Sequence, residues 1–273
     1  MRAILSFVFT CILTVSYAQS HEVLYAKLQD MAKEGICDSV VLAFNKWIEN
    51  EYCLDSLQRV FIDKDLEAIK EKDCWKCIDD SLRQRFLRKN GNIVLKDIGY
   101  ELWKIGAEDQ KYRTLSKYTH FPRPDDPKHK QFMEKQLYDQ KLATEKVYAL
   151  IKQYGWLNYE LVGVEAEKAC FYIIQHNNYP VQKKCLPLLK KAVKNGLANP
   201  YHYAMMYDRI LVLRHHKQLY GTQLRRELDS DEIKLNPIKN EKNVNKRRAA
   251  LGLKPLEEDL FKKWGIIYQI PSK

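Results

Sequence analysis

Apolar residues recur at spacings of three and four along most of the chain, the pattern of amphipathic helices. The predicted helices, in chain order, span residues 22–34, 38–50, 55–72, 75–88, 95–118, 128–154, 163–176, 181–195, 200–215, 244–251 and 256–264. Strand patterns are nearly absent, and the one predicted strand is the run 218–224. Good helix formers are abundant throughout. The sequence therefore predicts an all-α, multi-helix orthogonal or bundle-like fold with little or no strand.

Two interruptions in this pattern organise the chain. The turn-forming run Asn90-Gly91-Asn92 ends the first group of helices. The run 121–127 contains three prolines, which is typical of a linker, and it lies inside the second group. We expect an N-terminal helical region over 19–90 and a C-terminal helical core domain over 91–273. No internal repeat of the tetratricopeptide kind is visible, so the pattern does not indicate a helical array.

The first 18 residues have the three parts of a secretory signal peptide. A short basic start containing Arg2 precedes the uncharged apolar run 4–15, and Ser16 and Ala18 place small residues at the −3 and −1 positions of a cleavage site. We therefore expect cleavage after residue 18 and an exported protein, periplasmic or extracellular. The alternative is an uncleaved membrane anchor. No later apolar run has bilayer length, so we expect no transmembrane segment in the mature chain.

The chain carries a net positive charge, and the predicted export affects which partners that charge indicates. Arg2 is the only charged residue within 1–18, so cleavage lowers the net charge from +11 to +10. A basic chain can indicate a nucleic-acid partner, but export and the acidic residues interleaved with the lysines argue against one. The stretch 234–254 holds seven basic residues against Glu241 alone. This stretch suits either an anionic partner or a basic surface tail.

Seven cysteines become six after loss of Cys11, and an even number in an oxidising compartment favours disulfides. Cys170 and Cys185 lie equally far from the middle of the turn 177–180, so an antiparallel helical hairpin would place them opposite each other. We predict a disulfide between them. The alternative is that both are small core residues.

The run Cys74-Trp75-Lys76-Cys77 is a C-x-x-C motif, which serves as a redox site in a thioredoxin fold. The preceding residues have a helical pattern and no βαβ unit surrounds the motif, so a structural bridge is favoured over a redox site. Cys37 precedes one helix and is predicted to pair with Cys74 or Cys77. Cys53 has no assigned partner.

Polar residues interrupt otherwise apolar helices of the second group. Those that stand out are Asp109, Gln110, Arg113, Gln175, His176, Gln182, Asp208, Arg209, Gln218, Tyr220, Gln223 and Arg248. His176 can exchange protons near neutral pH, and Asp109 or Asp208 could orient its ring, so these three are the candidate catalytic residues. The alternative is structural, with Asp208-Arg209 as a buried ion pair and His176 as a helix cap.

The other polar residues of this set are candidate ligand-binding groups. Arginines can hold a carboxylate or phosphate through two hydrogen bonds, a role open to Arg113, Arg209 and Arg248. Amide side chains can fix amide or hydroxyl groups of a ligand, a role open to Gln110, Gln175, Gln182 and Gln223. Gln218 and Tyr220 share the last motif with Gln223, and Gly221 there would let the backbone approach a ligand closely.

The segment 100–256 resembles a known family of uncharacterised bacterial domains, of the type found in Bacteroidota. The resemblance is carried by Gly155-Trp156, Val162-Gly163, Gln175-His176, Asp208-Arg209 and the closing Gln218-x-Tyr220-Gly221-Thr222-Gln223. Residues 19–90 lie outside it. The residue after His176 is often acidic in such proteins and is Asn177 here. The resemblance implies relatives without an established activity.

Three functional hypotheses follow. The first is an exported protein whose polar pocket binds a small polar or anionic ligand. The second is a metal-independent hydrolase or lyase-like enzyme with His176 as acid and base. The third is a structural envelope protein. The sequence indicates no metal-binding motif, no cofactor and no classical nucleophile motif.

Overall fold

The structure, a computed structural model, describes residues 21–49, 54–118, 127–226 and 233–271, with the side chains of 112–118 outside this description. The predicted signal peptide, Cys53 and most of the proline-rich linker therefore lie outside the described residues. The chain divides into two compact units, Met1–Asn92 and Ile93–Lys273.

All secondary-structure elements in the described part of the first unit are helices. Its elements are α1 (21–34), α2 (Cys37–Ile48), α3 (Leu54–Leu57), α4 (Arg59–Ile62), a 3₁₀ helix (Lys64–Ile69) and α5 (Asp73–Asn90). Helices α2 and α5 pack against each other. The large side chains of Phe44, Trp47, Ile78 and Phe86 are fully buried and form the centre of this unit.

The single helix predicted over 55–72 is wrong. Asp63 has an extended backbone (φ −75°, ψ 121°) and divides the region into short helical pieces. Its carboxylate accepts hydrogen bonds from Asp65 N at 2.9 Å, Tyr25 Oη at 2.8 Å and Gln29 Nε2 at 2.8 Å. These bonds stabilise the break because a capping carboxylate satisfies backbone donors that a helix start leaves without partners.

A disulfide joins the beginnings of α2 and α5. It links Cys37 to Cys74, with their Cα atoms 5.1 Å apart. Cys74 was one of the two predicted partners of Cys37, so this prediction is confirmed. Cys77 is an exposed free thiol, which leaves the C-x-x-C motif without an internal bridge.

The second unit contains the remaining elements. In chain order they are α6 (Lys96–Tyr118), α7 (Pro127–Tyr154), α8 (Tyr159–Val162), α9 (Val164–Gln175), α10 (Tyr179–Lys194), α11 (Pro200–Leu213), β1 (Leu224–Arg226), β2 (Ile233–Leu235), a 3₁₀ helix (Glu241–Asn243), α12 (Val244–Ala249) and α13 (Leu256–Trp264). Helix α9 is central: it packs against α6, α7, α8, α10 and α11. Most of its residues are buried, and its second half contains the uninterrupted apolar run 169–174.

Helix α6 approaches α8 closely at one glycine. A Cβ atom on Gly99 would lie 2.5 Å from the carbonyl oxygen of Val162. Two backbone hydrogen bonds hold the same junction, from Val94 N to Glu160 O at 3.0 Å and from Leu95 N to Leu161 O at 2.7 Å. The absence of a side chain at residue 99 therefore sets how near α6 can lie to α8.

The predicted strand 218–224 is wrong in its position. Strand β1 begins only at Leu224, where it pairs with Leu235 of the antiparallel β2. Residues 219–222 form a loop instead. The buried carboxylate of Asp208, on α11, accepts hydrogen bonds from backbone amides of this loop, which are then not available for strand pairing. Near this hairpin, Ile238, Val244, Leu256 and Leu260 form a separate small apolar core.

The predicted disulfide between Cys170 and Cys185 is not formed. Both residues are buried free thiols, on α9 and α10 respectively. The prediction assumed that α9 and α10 lie side by side along their length. Helix α10 packs more extensively against α11 than against α9, so equal distance from the turn does not bring the two sulfur atoms into bonding geometry.

Helices make up most of the described residues, and strands are confined to the three-residue β1 and β2. The predicted all-α fold class is therefore confirmed. Within the described ranges, no helix combines the length and apolarity that a membrane crossing requires.

Candidate functional site

The structure brings together two of the three candidate catalytic residues, Asp109 and His176. Asp109 lies on α6 with its side chain 3% exposed, and His176 follows the last residue of α9 with its side chain 14% exposed. His176 Nδ1 lies 3.1 Å from Asp109 Oδ2, and Gln110 Nε2 donates to the same oxygen at 2.7 Å. A buried carboxylate thus holds one edge of the imidazole ring.

Side chains from α7 and α10 fix the backbone around His176. Gln140 Nε2 donates to His176 O at 3.0 Å, and Asn177 Nδ2 donates to Thr144 Oγ1 at 2.6 Å. Gln182 Nε2 donates to both Gln175 O at 3.0 Å and Asn177 O at 2.7 Å. Carbonyl groups at a helix end have no partner within the helix, and these amides supply one. The contact with Asp109 therefore fixes the His176 ring, and these hydrogen bonds fix the backbone that carries it.

A cavity of about 450 Å³ borders this turn. Its walls include His176, Asn177, Gln140 and Thr144, and the remaining lining residues are Leu137, Lys141, Glu145, Tyr148, Asn178 and Val181. The α7 residues of this cavity were not predicted from the sequence. They recur at spacings of three and four on one face of α7, a periodicity that also describes an ordinary solvated helix.

Gln175 and Gln223 meet at one backbone carbonyl. Their Nε2 atoms donate to Met205 O at 3.5 Å and 3.3 Å. The Oε1 atoms of Gln175 and Gln182 are buried and have no hydrogen-bond partner among the described residues. The predicted amide residues are thus used at least partly to connect α9, α10 and α11.

Asp208, the third candidate catalytic residue, does not join the pair. It is fully buried on α11, and its carboxylate accepts hydrogen bonds from Leu219 N at 2.7 Å, Tyr220 N at 3.0 Å, Thr222 N at 3.1 Å and Thr222 Oγ1 at 2.9 Å. Burial raises the pKa of the Asp208 carboxyl, and these donors oppose that rise. All of these bonds go to the loop 219–222 rather than to Arg209.

Two arginines hold the same loop from the other side. Arg248 is 1% exposed, and its guanidinium donates to Tyr220 O, Lys254 O and Asp259 Oδ2, each at 2.7 Å. The neighbouring Arg247 donates from Nε to Leu219 O at 2.8 Å. A planar guanidinium with five donors suits several acceptors at once. Arg248, a candidate ligand-binding residue, is therefore held by three acceptors of the protein itself.

The remaining residues of the Q-x-Y-G-T-Q motif complete this loop. Gln218 is fully buried; its Nε2 donates to Asn236 O at 2.7 Å and its Oε1 accepts from Gln223 N at 2.8 Å. Gly221 has φ +75°, and a Cβ there would lie 2.6 Å from Leu256 Cδ1. The glycine is required by the backbone and by this contact rather than by a ligand.

Two of the candidate arginines, Arg113 and Arg209, are not assigned a role. The side chain of Arg113, on α6, lies outside the described part of the chain. Arg209 follows Asp208 on α11 and is half-buried. In the part of the chain that the structure describes, no group of three or more His, Cys, Asp or Glu side chains is placed to hold a metal ion.

A second carboxylate–imidazole pair, Glu167 and His202, was not predicted from the sequence. Glu167 lies on α9 and His202 in the first turn of α11, and both are buried. One signal was present: Glu167 is three, four and seven positions before Cys170, Phe171 and Ile174, so helical periodicity places it on the apolar face. The sequence did not indicate that its partner is a histidine 35 residues later.

Comparison with known proteins gives one family. A family of unknown function, DUF6624, matches residues 97–265, which is more than half of the chain. No curated protein and no solved structure shows a significant match. The matched segment lies within the second unit and contains both carboxylate–imidazole pairs.

Proposed function

The chain belongs to the family of unknown function DUF6624, and we propose that it binds a small polar ligand in the cavity beside His176. The contact between buried Asp109 and His176 Nδ1, at 3.1 Å, carries this proposal. A carboxylate and an imidazole held together at a cavity wall form a preorganised polar group, which a purely packed helix bundle does not need.

The lining of this cavity indicates what kind of ligand fits. Lys141 and Glu145 have opposite charges, so the wall has no strong excess of either sign. Gln140 donates through Nε2 to the protein backbone, so its amide oxygen is the atom that can accept a hydrogen bond from a ligand. Hydroxyl and amide groups of a ligand match such walls better than a concentrated negative charge does. We therefore favour a neutral or zwitterionic polar molecule.

A second candidate function, acid–base catalysis, is supported by the same contact. A carboxylate that accepts a hydrogen bond from Nδ1 fixes the tautomer whose lone pair is on Nε2. That arrangement lets a histidine take a proton from a substrate and return it. Asp208 has no part in this candidate function because its oxygens accept four donors of the loop 219–222.

A binding screen with the full mature chain tests the proposal. Saturation-transfer NMR against amino acids, sugars and small organic acids should give at least one bound neutral or zwitterionic compound. Because His176→Gln and Asp109→Asn remove the preorganised pair, each should weaken that binding about tenfold or more. If the pair is also catalytic, Asp109→Asn should slow turnover of the bound compound about 100-fold or more.

The matched control is His216→Gln, which alters an exposed histidine. It should bind the same compound as the unmodified chain does. Equal binding by His176→Gln and His216→Gln would remove His176 from the site, and an empty screen would count against ligand binding in this cavity.

We also propose that the chain is exported. Support comes from the signal-like pattern of residues 1–18 and from the Cys37–Cys74 disulfide, because disulfides persist mainly in oxidising compartments.

A further inference from the structure

The second carboxylate–imidazole pair is more deeply buried than the first. Glu167 is fully buried, and its Oε1 accepts a hydrogen bond from Trp156 Nε1 at 3.0 Å. His202 is 7% exposed, and its Nδ1 lies 3.2 Å from Glu167 Oε2. The His202 ring stacks flat on Phe171, with the ring centres 3.9 Å apart. The imidazole is thus fixed by a carboxylate at one edge and by an aromatic ring on one face.

This pair borders a cavity of about 540 Å³, separate from the one beside His176. Its walls come from α9, from the start of α11 and from the segment 248–263. Within the described part of the chain, the His202 ring is hydrogen-bonded through Nδ1 to Glu167 Oε1, at 3.4 Å. With Nδ1 facing Glu167, Nε2 is the ring atom left for a ligand.

The surroundings of this cavity favour negative charge. Among the lining residues, Lys168, Lys254 and Lys263 are basic and Glu167 is acidic, while Arg248 and Asp259 are paired with each other. Helices α9 and α11 both begin at the cavity, as Val164 and Pro200 line it. The N-terminal end of a helix carries a partial positive charge and attracts anions.

Lys263 is placed to contact a ligand at the cavity rim. Its Nζ lies 3.2 Å from the centre of the Tyr201 ring and 2.9 Å from Asp259 Oδ1. An ammonium group has three donors, so contact with one carboxylate oxygen leaves donors for a further acceptor. Lys254 pairs with Glu258 and also lines the cavity.

We propose that this cavity is a binding site for a small molecule bearing an oxyanion, either a phosphate or a carboxylate. The anionic group contacts Lys263 and Lys254, and a donor group of the same molecule hydrogen-bonds to His202 Nε2. The site is distinct from the proposed ligand site at His176. It involves a different cavity and a different chemical class of ligand, so either proposal can fail alone.

The test titrates the full mature chain, labelled in its histidine rings, with inorganic phosphate and separately with malate, a carboxylate whose hydroxyl group is a donor. NMR follows the His202 ring signals, which are assigned with His202→Gln. We expect at least one of the two anions to give a saturable shift of these signals. A saturable shift with phosphate alone or with malate alone would identify which oxyanion the site prefers.

Lys263→Ala should weaken this binding about tenfold, the effect expected from loss of one hydrogen bond to a charged group. The matched control is Lys262→Ala, which removes the neighbouring exposed lysine of α13 that does not line the cavity. It should leave the affinity unchanged. The proposal is overturned by the absence of a saturable His202 shift with both anions, by equal shifts at exposed His216, or by equal affinities of the two lysine variants.

Discussion

Three buried carboxylates of the second unit have different partners, and the partners determine what each can do. Asp109 and Glu167 each face one imidazole at a cavity wall. Asp208 faces backbone amides and one hydroxyl of its own chain. A carboxylate surrounded by donors of a loop stabilises that loop, whereas one that faces an imidazole beside a cavity can support binding or proton transfer.

Asp208→Asn tests the structural role of Asp208. The substitution keeps the shape of the side chain but replaces one acceptor oxygen with an NH₂ group that faces backbone donors. We expect a loss of about 3 kcal/mol in the free energy of unfolding, measured by urea denaturation. Asp97→Asn, at an exposed position of α6, should lose less than about 1 kcal/mol. Equal losses for the two variants would contradict the structural role.

Helix α9 is the element that separates the two pairs. Glu167 and His176 are nine positions apart, which on a helix corresponds to about 14 Å along the axis and to opposite sides. Tyr172 lies between them, with its ring centre 5.8 Å from that of His176 and 6.2 Å from that of His202. One helix thus presents each pair to its own cavity.

Gly99→Ala tests the packing of α6 against α8. Alanine normally favours a helix over glycine by up to about 1 kcal/mol. Here the new Cβ would meet the Val162 carbonyl oxygen at 2.5 Å, so the helices must separate. We expect a net loss of about 2–3 kcal/mol in the free energy of unfolding, measured in urea. Lys96→Ala, on the exposed side of the same helix, should be nearly neutral, and a stabilised Gly99→Ala protein would refute the close approach.

At the scale of the whole molecule, the family match and the candidate cavities belong to one unit and the disulfide to the other. The family match begins at residue 97, inside the second unit, and both candidate cavities are formed by residues of that unit. The disulfide belongs to the first unit. The proposed ligand chemistry therefore belongs to the family segment, and the disulfide is a feature of the part that precedes it.

Export predicts a specific mature chain. Expressed from its own first residue in a secreting bacterial host, the protein should begin at Gln19 and retain the Cys37–Cys74 disulfide, as measured by intact mass and by the N-terminal peptide. Ala18→Lys places a large charged residue at the cleavage position and should leave the chain uncut. Recovery of the unmodified chain with residues 1–18 still attached would contradict cleavage.

The sequence predicted most helices because periodic burial of apolar residues is a local property. It failed where a distant side chain decides the backbone. Asp63 interrupts the helix predicted over 55–72 by binding Tyr25 and Gln29 of α1, and Asp208 turns a predicted strand into a loop.

The candidate site was predictable only in part for a related reason. Asp109, His176 and Asp208 were conspicuous as polar residues among apolar ones, but their spacing could not show which of them meet. Glu167 and His202 were missed because their pairing joins two helices far apart in sequence. Which buried polar groups contact each other is a tertiary property that one-dimensional periodicity does not contain.

The unbridged thiols of α9 and α10 have a consequence for chemical durability. Burial raises the pKa of Cys185 to about 11 and that of Cys170 well above its ordinary value, the latter also through nearby Glu167. The thiolate is the species that reacts with oxidants and disulfides, so both side chains react slowly while the fold is intact. Their persistence in an oxidising compartment would then be kinetic, and its duration would be limited by how often the helices around them open.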